Sequence, residues 1–365
     1  MPVSPADHEA YAAEVRRAYA DAETAILARI ARRVAQGIDA DDEHWTERKL
    51  AEIRRLRQEV EAELRALGRI AVAAGQAVAE AYEAGAREAQ EDLAAAQVEV
   101  AQVAWQVTSR AAVETLVAAA VEALQAAHLR ILRAAEDIYR QVIYEAARMV
   151  VTGVMTRREA AARALADFAD RGITGFRDRA GRAWDLASYA EMAVRSATGQ
   201  AAVQGHVDRL AAAGRDLVIV SDSPEECPLC RPWEGKVLSI SGATPRGSRV
   251  QLRGRSWTTV AGTLQEAIGA GLFHPNCTHR LGLVVEGLTQ PLRGVANPQG
   301  YEERQQQRYL ERQIRKWKRR EAAAITEDER RKARAKVREW QARMREFIDE
   351  TDRRRLYYRE QIGAR

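Results

Sequence analysis

The sequence predicts a mainly α-helical protein with long N-terminal helices, a small α/β module in the middle and a basic helical C-terminal tail. Long stretches are rich in Ala, Glu, Arg and Leu, whose side chains lose little rotamer freedom in a helix. Short apolar runs with β-branched residues, which favour strands, stand out between about residues 216 and 285. All three cysteines fall in the same part of the chain.

Composition limits the classes of protein to consider. A chain of 365 residues is long enough for two or more domains. No uncharged apolar run reaches the roughly 18 residues that span a bilayer, and the polar N-terminus shows no signal peptide. We therefore expect a protein without a membrane partner. Three cysteines do not make an even disulfide set, so we expect a reducing compartment.

Residues 1–152 are predicted to form a long-helix bundle or arm. A first helix over about 6–36 is expected to end at Gly37, because glycine accepts left-handed dihedral angles. A second helix is predicted after Asp39–Glu43, to be interrupted at Gly68 and followed by an alanine-rich helix over about 70–95. The second helix has an apolar stripe whose residues recur at spacings of three and four: Leu50, Ile53, Leu56, Val60, Leu64 and Leu67.

The most regular pattern lies between about residues 107 and 151. Two series of positions each recur every seven residues: Val117, Leu124, Ile131 and Ile138, and between them Val121, His128, Ala135 and Val142. Together they form the seam of a helix that packs along another helix. His128 is expected to be a core histidine with a hydrogen-bond partner.

Residues 153–290 are predicted to form the α/β module. The segment TRRE, Thr156–Glu159, is a capping box that starts a helix ending near Gly172. Shorter, glycine-punctuated elements are expected after it, with three strands at DLVIVS, KVLSI and RLGLVV.

Residues 291–365 are predicted to form a basic helical extension. Residues 301–365 contain 21 Lys and Arg against 13 Asp and Glu, a net charge of +8, whereas the whole chain carries +5. Apolar residues keep helical spacing in this tail, so its helices have a face to bury.

Five side chains in two patches predict a metal site. Cys227 and Cys230 form a C-x-x-C pair, whose spacing lets both thiolates reach one ion from a tight turn. His274, Cys277 and His279 lie in HPNCTH, after a short helix capped by TLQE. Zinc prefers four thiolate or imidazole ligands in a tetrahedron, so we predict a zinc-stabilised module.

The fourth ligand stays open at this point. The three cysteines come first because of their affinity for zinc, and either His274 or His279 completes the set. H-x-x-C mirrors the C-x-x-C pair and slightly favours His274, whereas His279 would share a face with Cys277 in an extended chain. Two readings without a metal are a redox dithiol and a chance cluster of buried cysteines.

A structural zinc is favoured over a catalytic one. Catalytic zinc keeps an open coordination position beside an acid or base. Neither H-E-x-x-H nor the H-x-E…P-C-x-x-C signature of zinc deaminases is present, and the available ligands can close the shell.

Three segments resemble the minor capsid protein 2 family of tailed phages, itself similar to the Mu F-like head morphogenesis proteins. They are DRAGRAWDLASYAEMAVRS (178–196), GRDLVIVSDSPEECPLCRPWEGKVLSISG (214–242) and TLQEAIGAGLFHPNCTHRL (263–281). The resemblance covers about residues 140–290, and the five cysteines and histidines match the family's positions. Trp233, Gly235 and Lys236 match its W-x-G-K segment.

The resemblance implies a structural virion component of the phage head, made in the host cytoplasm and built into an assembly of several copies. It implies work near the portal or inner capsid, in head assembly and DNA packaging or delivery. Portal and major capsid proteins are the expected partners. It implies no enzymatic activity. The alternatives are a zinc-dependent nuclease or peptidase, and a virion protein whose basic tail touches packaged DNA through phosphates without reading sequence.

Overall fold

The architecture was taken from a computed structural model, which describes residues 5–40, 42–97, 102–151, 155–173, 176–177, 183–274, 277–292 and 296–363. Nine α-helices lie within these ranges: α1 (Pro5–Ala35), α2 (Trp45–Ala51), α3 (Ile53–Ala95), α4 (Gln102–Val151), α5 (Arg157–Arg171), α6 (Leu186–Ala212), α7 (Leu264–Gly269), α8 (Pro298–Ala323) and α9 (Glu327–Thr351). The protein is therefore mainly helical, as predicted.

The strands form a two-stranded hairpin and one mixed sheet. The hairpin pairs β1 (Phe176–Arg177) with β2 (Ala183–Trp184). The sheet contains β3 (Leu217–Val220), β4 (Val237–Ser239), β5 (Arg249–Gln251), β6 (Trp257–Thr263) and β7 (Leu281–Leu283), in the order β5-β6-β4-β3-β7. Only the β4/β6 pair is parallel. The strands are short, at three to seven residues, and their buried residues belong to two separate apolar clusters.

The chain divides into two compact units. Unit 1 comprises Met1–Ala12, Ala73–Glu122 and Met192–Arg304, and unit 2 comprises Ala13–Val72, Ala123–Glu191 and Gln305–Arg365. Helices α1, α3, α4, α6 and α8 contribute residues to both units. Unit 1 contains the five-stranded sheet and both cysteine patches. The domain boundaries at 152/153 and 290/291 stay predictions.

Most of the predicted elements are confirmed. Helix α1 ends before Gly37, which has a φ of 67°. The Thr156–Glu159 capping box begins α5, and a second box from Thr263 to Glu266 begins α7. All three predicted strands are present, as β3, β4 and β7.

Two expectations about helices were wrong. Gly68 does not interrupt the second helix: α3 runs through it, and the break falls earlier, at Glu52 between α2 and α3. A single glycine costs a helix only about 1 kcal/mol, which the buried stripe residues Leu56, Val60 and Leu67 offset. The 27-residue α6 replaces the short elements expected after Gly172, although Gly199 and Gly205 lie within it.

The predicted seam of α4 packs as expected in the described part of each unit. In unit 1, Val117 and Val121 lie against Gly75 of α3. In unit 2, the buried seam residues are Leu124, Ile131, Ala135, Ile138 and Val142. His128 has its expected partner, because its Nε2 lies 2.9 Å from the Tyr19 hydroxyl.

Helix α4 is also long and apolar enough to cross a bilayer, by length and composition alone, over Ala111–Val150. It is the one helix with this property in the described ranges, and 22% of its most apolar window is buried. The absence of a membrane partner stays a prediction.

Helices α3 and α6 cross in unit 1 at two glycines. A Cβ atom on Gly85 would lie 1.9 Å from the Ala202 carbonyl oxygen, and one on Gly205 would lie 2.0 Å from that of Tyr82. Both obstacles are backbone atoms, so a methyl group there must push the helices apart. Only glycine therefore fits at these two positions of the crossing.

We expect Gly85→Ala to destabilise unit 1 by about 1–3 kcal/mol, the usual cost of overpacking, even though alanine favours helix. Gly199→Ala on α6 is the matched control, because within the described part of the chain no atom beyond its own helix backbone lies within 4 Å of its added methyl group. It should stabilise the protein by roughly 0.5–1 kcal/mol. Urea unfolding measures both variants. Equal stability of the two would contradict the close crossing.

Candidate metal centre

The first cysteine patch is a tight turn that follows β3. The amides of Cys230 and Arg231 both donate to the Cys227 carbonyl oxygen, at 3.1 Å. A short 3-10 turn over Arg231–Trp233 comes next. Gly235, with a φ of 67°, then reverses the chain into β4 and donates its amide to the Val220 carbonyl oxygen. The C-x-x-C pair is thus held at the end of one strand by the turn that starts the next.

The second patch lies between α7 and β7. The Leu272 amide donates to the Ala267 carbonyl oxygen and ends the helix, and Phe273 takes a φ of 57°. The Cys277 amide donates to the His274 carbonyl oxygen at 2.9 Å. Pro275 and Asn276 lie outside the described residues. Since β7 pairs with β3, this route brings the two patches to one end of the sheet.

The structure brings all five predicted side chains together, as two overlapping groups. Cys227, Cys230 and His274 form one, and Cys230, Cys277 and His279 form the other; within each, the candidate ligand atoms lie within 4.8 Å of one another. The two sulfur atoms of Cys230 and Cys277 are 3.6 Å apart. His279 Nδ1 lies 3.3 Å from the Cys277 sulfur, and His274 Nε2 lies 2.8 Å from the Cys227 sulfur.

The cluster is part of the core of the sheet module, by which we mean residues 215–285. Cys227 and Cys230 are buried in the same apolar cluster as Val218, Val220 and Leu238 of the sheet. Helices α3, α6 and α7 supply further members of that cluster: Ala89, Leu93, Val207, Leu210, Leu264 and Ala267. The cysteine turn therefore packs where the sheet meets the helices.

Hydrogen bonds inside the cluster shift its titrations. Those to Cys230 and His279 lower the pKa of the Cys277 thiol to about 4, and the same contact with Cys277 raises the pKa of Cys230. Burial lowers the pKa of His279, but its hydrogen bonds to Cys277 and Glu234 outweigh this and raise it. The contact between Cys230 and Cys277 therefore shifts the pKa values of the two thiols in opposite directions.

Sequence reasoning missed the role of Glu234. Its Oε1 atom lies 2.6 Å from His279 Nε2 and also accepts a hydrogen bond from the Ser223 amide at 3.2 Å. Both side chains are buried, at 4% and 2% exposed. Glu234 lies 45 residues before His279, and only the pairing of β7 with β3 brings the two together.

The other acids beside the cysteines are held in fixed contacts. The Glu226 carboxylate accepts from Arg231 Nε at 2.8 Å and from the Asn297 amide at 3.0 Å. Burial raises the pKa of Glu226, but these hydrogen bonds outweigh it and lower the pKa. Glu225 lies 3.7 Å from Arg304 Nε. These carboxylates connect the cysteine turn to the start of α8.

A second polar cluster of the module is structural. The Asp216 carboxylate accepts hydrogen bonds from the amides and hydroxyls of Ser241 and Thr244, at 2.6–3.0 Å, and from the Ser239 hydroxyl at 2.8 Å. Burial raises its pKa, but these hydrogen bonds outweigh that effect and lower it. Five donors satisfy the carboxylate, so it fixes the loop after β4.

Comparison with known proteins identifies relatives of this chain. The profile of the family described as phage minor capsid protein 2 matches residues 3–349. A "Structural protein" of Lactococcus phage LL-H is 29% identical over 200 residues, which cover 51% of this chain and 50% of the relative. The chain thus matches about half the length of this relative.

No solved structure matches the chain. The family match covers nearly the whole sequence, and both names describe a structural component of a phage particle. The resemblance carried by the cysteine and W-x-G-K segments is therefore confirmed. The chain belongs to the phage minor capsid protein 2 family.

Proposed function

We propose that this virion protein is a structural part of the phage head whose sheet module is closed by one zinc ion. The observation that carries the zinc is the donor set: three sulfur atoms and two imidazoles converge in the core of the module. Such ligands suit zinc better than hard cations. Five candidates for four positions can close the shell, which supports a structural ion.

Two of the distances between donor atoms are close to those expected around a tetrahedral zinc ion. Zn–S bonds of about 2.3 Å and Zn–N bonds of about 2.0–2.1 Å place two sulfur ligands about 3.8 Å apart and a sulfur and a nitrogen ligand about 3.6 Å apart. The Cys230–Cys277 and Cys277–His279 distances are 3.6 Å and 3.3 Å. Small shifts would bring both to these values.

We further propose that the protein lies at the portal or inner capsid, among several copies, and works in head assembly and DNA packaging or delivery. Membership of a minor capsid family supports a place in the head, and synthesis in the host cytoplasm would precede assembly. The portal and major capsid proteins are the proposed partners.

The test is to locate the chain in intact particles. We expect cross-linking of purified virions, followed by mass spectrometry, to join this chain to the portal or major capsid protein. Zinc should be present at about one equivalent per chain when the protein is purified separately. Cross-links to tail proteins alone would contradict the proposed location without touching the zinc site.

Contact of the basic tail with packaged DNA stays a prediction. Three of its arginines are already used inside unit 2: Arg315, Arg319 and Arg359 are buried and contact acidic side chains. On α9, Asp328 pairs with Arg331 and Lys332, and Glu339 pairs with Lys336 and Arg343. Exposed side chains such as Arg338 and Arg345 would make the contact with DNA.

A further inference from the structure

We propose that Glu234 is a positioning residue that makes His279, through Nδ1, the fourth zinc ligand beside Cys227, Cys230 and Cys277. This assignment rests on the structural zinc site proposed above. It also reverses the slight preference of the sequence for His274.

The tautomer of His279 follows from its two contacts. Neutral imidazole carries its proton on one ring nitrogen and a lone pair on the other. A carboxylate can only accept, so Glu234 Oε1, at 2.6 Å, places the proton on Nε2. A neutral ring that binds zinc would then use the lone pair of Nδ1, the nitrogen that lies 3.3 Å from the Cys277 sulfur. Carboxylate–histidine–metal chains use this arrangement to orient the ring and raise its basicity.

Burying the Glu234 carboxylate and the His279 ring costs free energy unless each group has a hydrogen-bond or metal partner. The Glu234 side chain is 4% exposed and that of His279 is 2% exposed. The Ser223 amide, at 3.2 Å, also donates to the same carboxylate oxygen and anchors it. A carboxylate buried beside cysteines is stabilised when the histidine between them donates to it and binds a cation on its other side.

His274 is placed differently. Its Nε2 lies 2.8 Å from the Cys227 sulfur, well inside the roughly 3.6 Å expected between sulfur and nitrogen ligands of one zinc. The 3.3 Å between His279 Nδ1 and the Cys277 sulfur is nearer to this spacing. His279 also has the buried carboxylate of Glu234 to orient its ring. These two observations favour His279 as the ligand.

The first experiment measures zinc affinity of the full-length chain by competition with a chromophoric chelator. Loss of an outer carboxylate partner typically weakens metal binding 10–100-fold, so Glu234→Ala should lose affinity by about that factor. Glu286→Ala is the control, since Glu286 is an exposed acid in the same unit. Equal affinity of the two variants, with zinc bound by the wild-type chain, would overturn the assignment and leave the zinc proposal standing.

A second pair of variants decides between the histidines without altering Glu234. His279→Asn should weaken zinc binding at least about tenfold more than His274→Asn, because only the former removes a ligand. The reverse order would overturn the assignment. A wild-type chain that retains no zinc would overturn the structural-zinc proposal as well, so the two failures are distinguishable.

A double-mutant cycle separates positioning from a general effect on folding. In a His279→Cys background the site has four thiolates, and no imidazole remains for Glu234 to orient. Glu234→Ala should then cost less than about threefold in affinity, against 10–100-fold with His279 present. The same loss in both backgrounds would show that Glu234 acts on the fold alone.

Discussion

Removal of zinc by a chelator is expected to unfold the sheet module, residues 215–285, and to leave helices α8 and α9 folded. Structural zinc contributes about 10–16 kcal/mol of binding free energy in zinc-finger peptides at neutral pH. That is comparable with the 5–15 kcal/mol that typically stabilises a whole domain. The module has short strands, and Cys227 and Cys230 are part of its core, so zinc is expected to supply a large share of its stability.

Hydrogen exchange read by mass spectrometry measures this prediction peptide by peptide. Amides of β3 and β4 should lose protection when zinc is removed and regain it when zinc is added back. Peptides of α9 serve as the internal control, since their protection depends on contacts of unit 2. Unchanged protection of β3 and β4 after zinc loss has been verified would refute the structural role.

The second large effect is expected at Glu191, between two buried arginines of unit 2. Its carboxylate lies 3.1 Å from Arg16 Nε and 2.5 Å from an Arg359 guanidinium nitrogen. Burial, and then the charge of Arg315, lower the pKa of Arg16 to about 10, so it stays charged at neutral pH. Glu191→Ala leaves both cations in the core without this carboxylate, which costs roughly 3–5 kcal/mol.

The C-terminal segment should respond most. Arg16 also donates to the carbonyl oxygens of Tyr358 and Arg359, and Arg315 donates to that of Arg359 at 2.7 Å. These two arginines therefore anchor the backbone of Tyr358 and Arg359 to helices α1 and α8 within unit 2. We expect Glu191→Ala to make this segment more sensitive to trypsin as well as less stable.

Urea unfolding and limited trypsin digestion measure the change. Glu346→Ala is the control, because Glu346 is exposed on α9 in the same unit. A surface substitution of this kind should stay within about 0.5 kcal/mol of wild type. A Glu191→Ala chain as stable as the control would show that the buried arginines do not depend on this carboxylate.

Many helices could be predicted because capping and apolar spacing depend on residues that lie close together in the chain. The capping boxes at Thr156 and Thr263 act within three residues, and the seam of α4 is a property of one helix. The predicted breaks at Gly68 and within α6 are absent because a glycine costs a helix less free energy than the burial of its apolar side chains contributes. At Gly85 and Gly205 the glycines are required by the neighbouring helix, which no propensity reveals.

The sequence by itself determined the mainly helical class, the strands β3, β4 and β7, and the set of cysteines and histidines that could bind zinc. Tertiary structure alone decided how the members of that set are placed relative to one another. It brought Glu234 to His279 and set His274 at hydrogen-bonding distance from Cys227. It also directed some arginines of the basic tail inward, such as Arg359, which contacts the buried carboxylate of Glu191. The reason is physical: ligand choice and ion pairing depend on distances between side chains far apart in the chain, whereas helix and turn patterns depend on neighbours.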